Sequence, residues 1–194
     1  SLQAKQVTAV GSFRFLVDAA GQKVWKSVPC FYIQEDDRSS GIRVIAGDAL
    51  GSPMPELPVQ PGDLVNVSGA LSTIDGERTI GCLSTDGAAR YVSYTVVGST
   101  TVPARPIGMS IRCLGGAALG PTPGPSGGIG ANNVGLLVRV AGTVTRVSND
   151  ERGVKILFID DGSNVECGES TGCKVYAYGS TASVGDLTYV FGGT

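Results

Sequence analysis

The chain has 194 residues and a formal net charge of -2, with Lys+Arg 15 against Asp+Glu 17. Its basic residues are scattered, which leaves no cationic stripe for sequence-independent nucleic-acid binding, so nucleic acid is not an expected partner. Histidine is absent, removing the usual general base near neutral pH and the commonest metal ligand; no enzyme activity, metal or cofactor is therefore assigned.

Gly 29 and Pro 10, with many Val, Thr and Ser, indicate a turn-rich all-β chain. No run approaches the ~20 apolar residues needed to cross a bilayer, so no membrane insertion is expected. The start lacks a charged-then-apolar signal pattern, and an exported protein would already have lost it. Residues 2–10 alternate loosely with period two, and Phe13-Arg14-Phe15-Leu16-Val17 follows as a second strand-like run. The stretch 18–28 reads as a polar insertion with a turn at Gly21-Gln22. Residues 31–36 and 41–46 predict a hairpin around Asp37-Arg38-Ser39-Ser40. Prolines 53, 55, 58 and 61 exclude a regular element across 51–62. Residues 64–71 and 78–83 predict another hairpin, turned by Asp75-Gly76, and 90–97 a further strand. Residues 114–135 are dense in Gly, Pro and Ala and read as a linker that must pack against something to be ordered. It separates a domain at 1–113 from one at 136–194.

The second half repeats the first strand for strand. Val7-Thr8-Ala9-Val10 is answered by Val144-Thr145-Arg146-Val147, residues 31–36 by 157–161, 41–44 by 173–176, and 62–69 by 185–192. The first copy carries two more strand-like runs, whereas the second ends at Thr194. A β-domain without its closing strand exposes an edge or borrows a strand.

The five cysteines are Cys30, Cys82, Cys113, Cys167 and Cys173, with no C-x-x-C among them. The short Gly-containing loop between Cys167 and Cys173 suits a local disulfide, and Cys30 and Cys82, both flanking strands of the first copy, form the second candidate pair. Cys113 is left single. Such bridges imply an oxidising compartment; the alternative is five buried thiols in a reducing one.

Gly-x-Ser-x-Gly occurs at 124–128 and 168–172, in neither case after a strand entering a helix, and reads as turn. The acid groups Glu35-Asp36-Asp37 and Asp160-Asp161 stand at equivalent places; they could offer oxygens to calcium, but Asp in such loops ordinarily starts a turn by binding its own backbone. Asn66-Val67-Ser68 matches a glycosylation sequon lying within a strand. Tyr176 and Tyr178 share one face of a strand beside Lys174 and are the candidate ligand face for a sugar or a base.

Strand, paired strands ending in acids, irregular connection, Gly-Asp strand and hairpin is the order of a five-stranded OB barrel. Residues 31–44, 61–69 and 135–145 (Gly-Leu-Leu-Val-Arg-Val-Ala-Gly-Thr-Val-Thr) resemble the tandem OB-fold repeats of secreted or cell-surface bacterial proteins. The resemblance implies two tandem OB-like Greek-key barrels joined by the Gly/Pro-rich linker, the second lacking its last strand, in an extracellular or cell-surface protein. In an OB barrel the fifth strand bridges the third and fourth, so two edges stand open in the second copy: Lys174, Val175 and Tyr176 on one, Leu187, Tyr189 and Phe191 on the other. The expected function is a non-catalytic structural subunit that self-assembles head to tail, as a fibre or surface layer. The alternatives are an oligosaccharide- or single-stranded nucleic-acid-binding module, or a fragment of a longer secreted protein.

Overall fold

A computed structural model of the chain describes residues 1–19, 22–46, 58–74, 76–83, 89–90, 92–120, 124, 127–151, 153–168 and 170–193. Of residues 13–19, 22–27, 82–83, 89–90, 191 and 193 it describes the backbone alone. Most of the proline-rich connection, Asp75, Tyr91 and parts of both Gly-x-Ser-x-Gly stretches lie outside the described residues.

The fold is all-β. β1 (Leu2–Ala19) and β2 (Gln22–Gln34) form one long hairpin whose register runs from Gln6↔Gln34 to Ala19↔Gln22. The stretch 18–28, expected as a polar insertion, is therefore mostly strand. Lys23 and Lys26 obscure its pattern, but Val24, Trp25 and Val28 are strand formers, and pairing with Phe13–Val17 completes them. β2 turns through Asp37-Arg38-Ser39-Ser40 into β3 (Gly41–Ile45), with Gln34 opposite Gly41. This is the hairpin the sequence predicted.

β4 (Asp63–Gly69) returns antiparallel to β1, and after Ala70 the chain continues as β5 (Leu71–Ile74). β5 pairs with β6 (Glu77–Ile80), which lies parallel to β3. The path β1, β2, β3, β6, β5 then β4 thus returns to β1. It encloses Val7, Phe31, Ile33, Val44, Val59, Val65, Val67 and Ile80, all buried. On its other side β6 is locked to β3 by an ion pair: Arg43 Nη1 lies 2.8 Å from Glu77 Oε2, with the two side chains only 8% and 16% exposed. The Tyr32 phenol stands beside this carboxylate, and burial keeps it protonated well above its usual range. β7 (Cys82–Leu83) pairs with β8 (Ala89–Arg90), and β9 (Val92–Ser99) extends the sheet beyond β4.

The second sheet begins with β10 (Ile107–Gly108), parallel to the start of β11 (Leu137–Asn149). Between them a 3-10 turn, Ile111–Cys113, drops Ile111 into the second core with Val140, Val144, Leu157 and Ile159. Packing therefore passes to the second sheet before Cys113. β12 (Lys155–Asp160) pairs with β11, the small β13 (Glu166–Cys167) and β14 (Ser170–Thr171) form a hairpin, β15 (Cys173–Tyr176) pairs with β12, and β16 (Leu187–Gly193) pairs with the other edge of β11.

The two sheets repeat each other in local geometry. β1 bulges between Val7 and Ala9, and β11 between Val144 and Arg146. At each bulge a threonine hydroxyl donates across the pair, Thr8 to the Tyr32 carbonyl at 3.4 Å and Thr145 to the Phe158 carbonyl at 3.2 Å. Gly62 and Gly185 both take positive φ, +99° and +93°. Their N–H groups bind the Val7 and Val144 carbonyls, at 2.8 Å each. The following Asp63 and Asp186 each accept a backbone N–H from three residues upstream. Shared bulges and turns fix the same strand register twice.

Two side-chain amides tie the described part of the Gly/Pro-rich connection, Asn132 donating to the Ala117 carbonyl at 3.0 Å and Asn133 bonding more widely. Asn133, 6% exposed, accepts the Gly115 N–H at 2.8 Å and donates to the carbonyls of Cys113 at 2.7 Å and Ala131 at 3.1 Å. The far end of the connection meets the first sheet backbone to backbone. A Cβ on Gly41 would stand 2.3 Å from the Gly135 carbonyl oxygen, so only glycine fits there.

Candidate functional site

The second sheet stops where the first one closes. β11 is antiparallel to both β12 and β16, and β12 is antiparallel to β15, so β15 and β16 run in opposite directions. In the first sheet β6 fills the corresponding place between β3 and β5. Here, among the described residues, no strand lies between β15 and β16, and their outer edges carry no ladder partner. Between them lies a trough of about 840 Å³, with Val140, Leu157, Val175 and Val190 at its apolar floor and Tyr176, Tyr178 and Tyr189 on its rim.

Equivalent positions measure what the missing strand does. Val44 on β3 and Val67 on β4 are 0% and 1% exposed, under Ile80 of β6. Their counterparts Val175 and Val190 are only half-buried. Leu187, Tyr189 and Tyr178 are 70%, 63% and 72% exposed. β16 has neither charge nor proline along its length, the usual protections of a strand edge against pairing.

The edge residues expected from the sequence fall at this place. Lys174, Val175 and Tyr176 lie on β15, and Leu187, Tyr189 and Phe191 on β16, although the Phe191 side chain is outside the described residues. Val175 faces the trough floor, while Lys174 and Tyr176 lie on the opposite face of the strand with Phe158. The floor residues Val140, Leu157 and Val190 escape sequence reading. They look like ordinary core positions until the strand that would cover them is seen to be missing.

The ligand-face candidates Tyr176 and Tyr178 are both exposed, Tyr178 just beyond the end of β15. On the outer face Arg146, Phe158, Lys174 and Tyr176 surround a hollow of about 710 Å³. Its ring faces already carry cations: Lys174 Nζ is 5.1 Å from the Tyr176 centroid, and Arg146 Cζ 5.6 Å from that of Phe158.

Among the described residues no disulfide is formed: Cys167 and Cys173 are not bridged, and both they and Cys113 are free thiols. Cys30 is buried in β2 between Gly11 and Ile45, and Cys82 belongs to β7, with its side chain outside the described residues. Cys173 points into the second core, where burial and then the neighbouring Cys167 push its pKa up to about 11. The acid groups serve turns. Asp37 Oδ1 accepts the Ser39 N–H at 2.9 Å, and Asp160 accepts that of Asn164 at 3.2 Å. Asp161 binds Ser163 through Oδ1 and the Ile111 N–H through Oδ2 at 2.8 Å, tying the 3-10 turn to the strand end. Burial opposes its ionisation, but these hydrogen bonds prevail and hold the carboxyl below its ordinary range. No cluster of metal-ligating side chains occurs among the described residues.

No helix among the described residues is long and apolar enough to cross a membrane. Compared with known proteins, the chain matches no protein-family model, no curated protein and no solved structure.

Proposed function

We propose that this chain is a non-catalytic, extracellular structural subunit of two tandem OB-like barrels that assembles head to tail through the open edges of β15 and β16. The strand path of the first sheet is that of a five-stranded OB barrel, with β4 and β5 together acting as the fourth strand and β6 as the fifth. The second sheet has the first four strands of the same order. The observation that carries the function is the unfilled place between β15 and β16. It joins two backbone edges that are unpaired among the described residues to an apolar floor, the combination that strand addition satisfies. Sedimentation velocity and negative-stain imaging over rising protein concentration test it. Species that lengthen with concentration are expected, and a sharp monomer throughout refutes it.

A second reading, an oligosaccharide- or single-stranded nucleic-acid-binding module, draws on the outer hollow of Arg146, Phe158, Lys174 and Tyr176. Its rings are already engaged by the protein's own cations, which favours the assembly reading. A labelled oligonucleotide or glycan that binds at low salt and is lost on Tyr176→Ala would reverse that preference.

A further inference from the structure

The distal part of the β1–β2 hairpin is the second unsatisfied element of the chain. Among the described residues, 11–19 and 22–28 pair in the strand ladder only with each other. The β1–β4 pairing ends at Gln6, and the β2–β3 pairing at Cys30. At about 3.3 Å per residue this two-stranded arm reaches about 30 Å. A lone two-stranded hairpin is marginal in water, so it needs a surface to lie on. Its register places Phe13, Phe15, Val17 and Val24 at positions of one face together with Lys26 and, at the tip, Gln22, while Val28 on the same face at the base of the arm is already buried.

We infer that the occupant of the trough is the β1–β2 arm of a second copy, an inference that rests on the assembly reading above. Strand direction is the main argument. β15 and β16 are antiparallel, so a single strand between them must run parallel to one. An antiparallel hairpin fits with every new pair antiparallel, which is the more stable pairing. The arm has two free edges to meet the two free edges of the trough, and an apolar face to cover the apolar floor. Among the described residues Lys174 is the charged residue at the trough and lies on the outer face, and Lys26 is the charge on the arm face that meets the floor. The donor is in the first sheet and the acceptor in the second, so the contact is heterologous and each copy that accepts an arm still offers its own. Repetition builds an open chain.

Two variants of the full chain test this. In the first, residues 14–27 are replaced by Asn-Gly, joining the paired Phe13 and Val28 through a tight turn. In the second, Phe15→Asp keeps the hairpin and charges its apolar face. Both are checked for native β signal and cooperative melting, then examined by sedimentation and imaging beside the parent chain. The shortened variant is expected to remain monomeric and, mixed substoichiometrically with the parent, to shorten its filaments, because it accepts an arm and donates none. Phe15→Asp is expected to raise the concentration needed for assembly about 100-fold, the scale set by withdrawing one aromatic side chain from burial. Filaments of parental length from both variants overturn the arm as donor while leaving assembly intact. A parent chain that never assembles overturns the assembly reading itself, and this inference with it.

Discussion

Replacing Asn133 with alanine removes the most heavily bonded described side chain of the connection between the sheets. The amide makes hydrogen bonds of 2.8 Å from the Gly115 N–H, 2.7 Å to the Cys113 carbonyl and 3.1 Å to the Ala131 carbonyl, from a position 6% exposed. A net worth of about 1 kcal/mol each gives a loss near 3 kcal/mol, with the buried Gly115 N–H left unsatisfied as the main uncompensated cost. Leu114 and Gly115 also line one end of the trough, so loosening the connection disturbs the proposed acceptor. Urea unfolding with linear extrapolation reads the global loss, and limited proteolysis within 114–135 reads local opening. Asn133→Asp should be no better, since it retains the acceptor but puts a carboxylate against two carbonyl oxygens. An alanine variant within about 0.5 kcal/mol of the parent, with unchanged cleavage in the connection, would refute the claim that Asn133 holds this segment.

Glu77→Ala removes the carboxylate partner of the Arg43 guanidinium between β6 and β3 and should cost about 3 kcal/mol, the lower end for breaking a buried pair, as read by chemical denaturation. Asp161→Ala should cost about 1 kcal/mol at pH 7 through loss of the Ile111 contact. Because the folded carboxyl is held below its ordinary range, that contribution is present above the unfolded pKa, near 4, and disappears as pH falls through the folded one. Parent and variant stabilities should therefore converge in acid. Cys173, with its pKa pushed up to about 11, should alkylate at pH 8 at least about tenfold more slowly than an unperturbed thiol, even allowing for the higher nucleophilicity of its thiolate; mass spectrometry of the modified peptides reads the ratio.

The hairpin from Phe31 to Ile45 was legible in the sequence because period-two alternation and turn chemistry agree there. The Gly-Asp strands were legible for the same reason, and Gly62 and Gly185 make equivalent turns. The long arm was not. Its pattern belongs to two strands at once, and neither Phe13–Val17 nor Val24–Val28 carries it alone. Asn133 has partners as far as twenty residues back in sequence, and nothing local marks an asparagine in a Gly-rich run as a hub. The open edges could be placed by comparing the two copies. The trough floor could not, since Val140, Leu157 and Val190 are apolar residues at apolar positions whatever covers them. The cysteine spacing suggested bridges, but spacing does not carry the direction of a side chain, and Cys173 points into the core.

Amide hydrogen exchange along β15 and β16, compared between dilute and concentrated protein, tests the proposed completion of the second sheet most directly. In dilute solution the outward amides of both strands should exchange quickly, since among the described residues only their inner edges are paired. On the proposed assembly those amides should gain protection together with residues 11–28, while β3 and β6 of the first sheet remain unchanged. Assembly that leaves β15 and β16 exchanging as fast as in the monomer would contradict the account.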